Sequence, residues 1–149
     1  MRYLALIFPA VFVFATIASV QGDGFSDIPR ISARAAYNKF MKGGIILVDS
    51  MSDRTYAKYH IAGAINLPND GAEDLARLAS ADLQIPFDKE IVVYCDCAAE
   101  GTALGAARVL KEKGYTRVSV VNGGFKAMTR LGFPVIWEGK FRMRNKGVR

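Results

Sequence analysis

The sequence predicts an α/β domain built around a largely parallel sheet. Short apolar runs alternate with segments of helical periodicity along the chain, and runs such as Ile45-Ile46-Leu47-Val48 are continuous, as strands covered on both faces require. There is no internal repeat and no low-complexity segment. With 149 residues, 51% of them apolar, the chain can bury one core of ordinary size, so a single domain is expected.

The elements follow in order. Residues 23–30 hold glycines and Pro29 and read as a linker. Ser32 can cap a helix that gathers Ala33, Ala36, Tyr37, Phe40 and Met41 on one face, and Gly43-Gly44 stop it. A strand over residues 45–48 leads to a polar stretch and a short helix over residues 54–59. Residues 64–67 form a strand closed by Pro68, and residues 73–80 a weakly amphipathic helix. After a turn at residues 85–88, a strand runs from Glu90 to Tyr94. A helix over residues 102–113 then lines up Ala103, Ala106, Ala107 and Leu110, with lysines at its end and Gly114 beyond. Residues 117–121 make the last clear strand. Phe125, Met128 and Leu131 share a short helix after Gly123-Gly124.

The ends carry their own signals. Arg2 precedes an uncharged run from Tyr3 to Val20, followed by Gln21-Gly22-Asp23-Gly24. That order describes a secretory signal over residues 1–22. The run is also close to the roughly 18–20 residues that span a bilayer, so a retained anchor through residues 3–20 is the alternative. Either way the protein is expected to be exported, to the periplasm or another extracytoplasmic space. The net charge of +6 is scattered except in the basic tail, residues 140–149. No aromatic platform or nucleic-acid motif accompanies that tail, which reads as a solvated terminus, and no nucleic-acid partner is expected.

The only two cysteines, Cys95 and Cys97, sit where an apolar strand gives way to a loop and then a helix. In parallel sheets, sites lie beyond the carboxyl ends of strands, where Asp49 and Asn66 also fall. A cysteine so placed gains from the free N–H groups and positive end of the following helix, which lower a thiol pKa from about 8.5. In an oxidising compartment, two cysteines this close are chemical rather than scaffolding. With two cysteines and one distant histidine, no metal site is expected.

At this point the sequence resembles the single-domain rhodaneses, a family of sulfurtransferases, over about residues 30–137. Ile46-Leu47-Val48-Asp49 followed by His60-Ile61-Ala62-Gly63-Ala64-Ile65-Asn66-Leu67-Pro68 is similar to the family's first signature. Ile91-Val92-Val93-Tyr94-Cys95 resembles its catalytic strand. Gly114-Tyr115 with Val118 and Gly123-Gly124, then Gly132-Phe133-Pro134-Val135, resemble the segments after the catalytic helix. The resemblance implies a rhodanese-like domain over residues 31–139 with a five-stranded, mainly parallel sheet flanked by helices on both faces. It also implies a cysteine that carries sulfane sulfur as a persulfide, with a sulfur donor and a thiol acceptor as partners and no cofactor.

The departures bear on chemistry. Aligning the strand without a gap makes Cys95 the nucleophile, the first choice because the strand end fixes the sulfur's depth. Aligning the helix instead selects Cys97, with Thr102 closing the loop. The loop residues Asp96, Ala98, Ala99, Glu100 and Gly101 include no cation, and the next one is Arg108. Asp96 and Glu100 oppose a thiolate. Thiosulfate, a dianion, is therefore expected to be a poor donor, with polysulfide or a protein or small-molecule persulfide preferred. A Cys-based phosphatase would need Arg six residues after the nucleophile, where Gly101 or Ala103 stands. Two alternatives stay open: a Cys-x-Cys thiol–disulfide oxidoreductase, with Cys97 as resolving thiol, and a non-catalytic module that binds a partner. His60 is expected to support structure rather than act as a base. Asp49 either organises the loop or caps its strand.

Overall fold

The computed structural model describes residues 27–143. The signal or anchor expected at residues 1–22, and the last six residues of the tail, lie outside them. No helix among the described residues is long and apolar enough to cross a membrane.

Eight strands and five helices follow in the order β1 (Arg30–Ser32), α1 (Ala33–Met41), β2 (Ile46–Asp49), α2 (Asp53–Lys58), β3 (Tyr59–Ile61), β4 (Ile65–Asn66), α3 (Ala72–Ser80), β5 (Ile91–Tyr94), α4 (Gly101–Glu112), β6 (Val118–Asn122), α5 (Gly124–Leu131), β7 (Val135–Trp137) and β8 (Lys140–Arg142). The main sheet has five strands, all parallel, in the order β1-β6-β5-β2-β4. Helices pack in pairs, α1 with α5 and α3 with α4. All four residues of central β5 are buried, so both faces of the sheet are covered. Ala103, Ala106, Ala107 and Leu110 on α4 are wholly buried, their small side chains letting the helix lie close to the strands. On α1, the Ser32 hydroxyl accepts the Ala35 N–H at 3.2 Å, the cap that the sequence suggests. Phe133 joins α1 to the end of α5 through rings 5.1 Å from Tyr37 and 5.2 Å from Phe40.

Several boundaries shift by a residue from the sequence expectation, and three segments take a different structure. Arg30 belongs to an edge strand rather than to the linker. It pairs with Val120, and Val120 donates its N–H to the Pro29 carbonyl at 2.9 Å. Three residues with only Ile31 half-buried leave no apolar run to recognise. Tyr59 starts β3 rather than ending a helix, because it pairs with Trp137 and stacks on it at 5.3 Å. Lys140–Arg142, read as the start of the tail, forms β8, which with β3 and β7 makes a second, antiparallel sheet. Glu138 and Gly139 turn the β7–β8 hairpin with φ of 47° and 73°, the pattern of a two-residue type I′ turn.

Candidate active site

β5 carries Cys95 to the carboxyl edge of the main sheet, where the side chain is only 1% exposed. Cys97, two residues on, is exposed. The two sulfurs are joined as a disulfide. The loop between strand and helix is short, because α4 begins at Gly101, one residue before the expected start.

Contacts from distant segments hold this loop. Phe125 donates its N–H to the Cys95 carbonyl at 2.8 Å. Glu100, left-handed at φ 57°, closes the loop on the far side. Its carboxylate accepts the Gly123 N–H at 2.8 Å and pairs with Arg30 Nε at 3.0 Å. Glu100 is thus tied to β1 and to the turn before α5, and part of its charge is answered by Arg30. Asn69, missed in the sequence, donates from its side chain to the Thr102 carbonyl at 2.7 Å and from its backbone to the Ser50 carbonyl at 3.0 Å. Gly105 leaves the space that Asn69 occupies, since a Cβ there would collide with the Asn69 amide. Ala98 and Ala99 are exposed and fill the loop without a side-chain polar contact.

Behind the loop, Asp49 is fully buried. Its carboxylate accepts the Tyr94 hydroxyl at 2.7 Å and the Met51 N–H at 2.9 Å, while the Tyr94 oxygen accepts the Ile61 N–H at 2.9 Å. Asp49 therefore caps the end of β2 through the Met51 N–H and, through Tyr94, links β2 to β5 and β3. Burial pushes its carboxyl up to about 6, against the opposing pull of the Tyr94 and Met51 bonds and of His60. Burial and the neighbouring Asp49 likewise raise the Tyr94 hydroxyl, keeping it a donor.

A raised carboxyl stabilises the fold fully below its unfolded value near 3.8, and that contribution disappears as pH rises through about 6. Asp49→Asn removes the titration. Its unfolding free energy should change less than that of the wild type between about pH 4 and pH 7, by on the order of 2–3 kcal/mol. Parallel stability–pH curves in denaturant titrations would contradict this assignment.

His60 packs on α2. Its Nδ1 bonds the Tyr56 carbonyl at 2.7 Å, and its ring stacks on Tyr56 at 3.8 Å. It supports the α2–β3 junction.

In front of the cysteines is a cleft of about 250 Å³, lined by Met51, Ser52, Thr55, Tyr59, Asp70, Asp96, Thr102 and the two cysteines. Its charged residues are both acidic. Asp96 accepts the Tyr59 hydroxyl at 3.0 Å and lies 3.9 Å from Lys126, which is itself largely exposed. Burial, then the bond to Asp96, raises the Tyr59 hydroxyl, so it too remains protonated. Ser52, Thr55, Tyr59 and Asp70 come from loops, α2 and β3, far from the cysteines in sequence, and carry no local motif. Among the described residues no group of three or more histidine, cysteine, aspartate or glutamate side chains could hold a metal ion.

Comparison with known proteins agrees with this fold. Residues 32–131 match the model of the rhodanese-like domain. The chain is similar to the solution structure of a rhodanese-like domain from Anabaena, at 24% identity and TM-score 0.60, covering 81% of this chain and 86% of that one. It is also similar to a thiosulfate sulfurtransferase from Pseudomonas aeruginosa, at 27% identity and TM-score 0.59, covering 72% of this chain and 20% of that longer one. A human single-domain sulfurtransferase shares the fold at 22% identity and TM-score 0.57, covering 68% of this chain and 96% of that one.

Proposed function

This chain belongs to the rhodanese-like domain family, and from that premise we propose that it is a sulfurtransferase that carries sulfane sulfur on Cys95. The observation that carries the reading is the placement of Cys95 at the end of β5, at the back of a cleft and one short loop before α4. In its reduced form, the Cys95 thiolate attacks the outer sulfur of a donor, the donor's thiolate leaves, and a persulfide remains on Cys95. Backbone N–H groups of the loop and the start of α4 supply the stabilisation that no side chain offers.

The donor is a persulfide or polysulfide rather than thiosulfate. Asp70 and Asp96 line the cleft, no lysine or arginine does, and Arg30 is engaged by Glu100. A dianion entering there meets two carboxylates, and the cation beside them, Lys126, is paired with Asp96, which leaves no clamp in the lining. Transfer from polysulfide to a thiol acceptor should therefore exceed transfer from thiosulfate by at least about tenfold, the equivalent of one charge-assisted hydrogen bond. Gly101→Arg is the informative change, because a side chain at Gly101 meets nothing nearby, whereas replacing Glu100 would break its two contacts. It should raise thiosulfate turnover by about tenfold. Equal wild-type rates with the two donors would overturn the donor assignment.

Export belongs to the same proposal, supported by Arg2 and the uncharged run over residues 3–20, which is either cleaved or kept as a membrane anchor. The Cys95–Cys97 bond supports a second reading, thiol–disulfide exchange. In that case both cysteines would be needed and no sulfur would be taken up.

A further inference from the structure

We infer that the Cys95–Cys97 pair makes this site a reductase of sulfane sulfur, releasing sulfide from persulfides at the expense of a dithiol. The inference rests on the sulfur-carrier reading above and adds the step that empties the carrier.

Three observations combine. The two sulfurs lie within bonding reach, so the Cys97 thiolate can attack Cys95 Sγ along the path that the disulfide occupies. Cys95 is 1% exposed while Cys97 is exposed, so the two thiols face different clients. The cleft offers hydroxyls and two carboxylates but no cation to hold an anionic persulfide in a long-lived state. A stabilising role alone explains the bond poorly. It closes a loop with a sequence separation of 2, and a disulfide constrains the unfolded chain least when its loop is shortest.

The cycle balances in three steps. The Cys95 thiolate attacks the outer sulfur of a persulfide R–S–SH. The S–S bond of the donor breaks, R–S⁻ leaves, and Cys95 carries –S–SH. The Cys97 thiolate then attacks the inner sulfur, Cys95 Sγ. The bond to the outer sulfur breaks and HS⁻ departs with its proton, leaving the Cys95–Cys97 disulfide. Finally a dithiol attacks the exposed Cys97 sulfur and Cys95 leaves as thiolate. The second thiol of the reductant resolves the mixed disulfide, restoring both cysteines. The sulfane sulfur gains two electrons, and the dithiol loses them. Asp70 and Asp96 at the mouth favour a neutral or cationic reductant over an anionic one.

The test uses reduced, desalted protein and limiting cysteine persulfide. Wild type should release stoichiometric sulfide and end about 2 Da lighter than the reduced protein, as the disulfide. Added dithiothreitol should make sulfide release catalytic. Cys97→Ser should instead gain about 32 Da, one sulfur atom, and release sulfide at least about tenfold more slowly. A wild type that holds the adduct as long as Cys97→Ser does would overturn the reductase and leave the carrier standing. A Cys97→Ser protein that gains no sulfur would overturn both.

Discussion

Cys95→Ser should abolish sulfur transfer, lowering turnover with polysulfide and a thiol acceptor by about a thousandfold or more, because it removes the sulfur on which the covalent intermediate forms. Cys97→Ser should retain transfer to an external thiol with only partial loss, since the outer sulfur still reaches Cys95. The asymmetry follows from position. Cys95 is fixed by its strand and by the bond from the Phe125 N–H to its carbonyl, whereas Cys97 stands exposed in the loop. Equal losses in the two variants would mean that the cysteines act as an exchange pair. Loss confined to Cys97→Ser would move the nucleophile two residues along.

Gly124→Ala should give the largest structural effect of any single methyl addition near the site. Gly124 adopts φ of +48°, and a Cβ there would run into the backbone carbonyl oxygen of Cys95. An L side chain in the left-handed region costs about 1–2 kcal/mol, and the collision adds to it, so a loss of roughly 2–4 kcal/mol is expected. Denaturant unfolding with an unchanged m-value measures it. Relief of the collision must push α5 away from Cys95 or displace Cys95 itself, so sulfur uptake should fall along with stability. A variant within about 0.5 kcal/mol of wild type would show that the turn yields freely and does not hold the nucleophile.

Much of this architecture is legible locally. β2 and β5 are continuous apolar runs, α4 has a small-residue face, Ser32 caps α1, and the cysteines stand at a strand end. What the sequence hides is the set of contacts made across it. β1 is held by pairing to β6 rather than by its own composition. The second sheet depends on Tyr59 meeting Trp137 and on a Glu138-Gly139 turn whose conformation is visible only once the hairpin exists. Nothing near Glu100 in the sequence announces that it holds Arg30, seventy residues away, and the Gly123 N–H. Asn69 carries no motif, yet it ties the start of α4 to the end of β2. Asp49 stands at a strand end in the sequence, but its bond to Tyr94, forty-five residues away, is visible only in the fold. Sequence periodicity reports burial along one element, whereas polar contacts between elements depend on the packed fold.

Fragment mass spectrometry of the reduced Cys97→Ser protein after exposure to polysulfide identifies the sulfur carrier. One added sulfur, about 32 Da, is expected on the peptide bearing Cys95, removed by cyanide, with no adduct when Cys95 is also replaced by serine. An unmodified Cys95 under conditions that load other rhodanese-like proteins would contradict it.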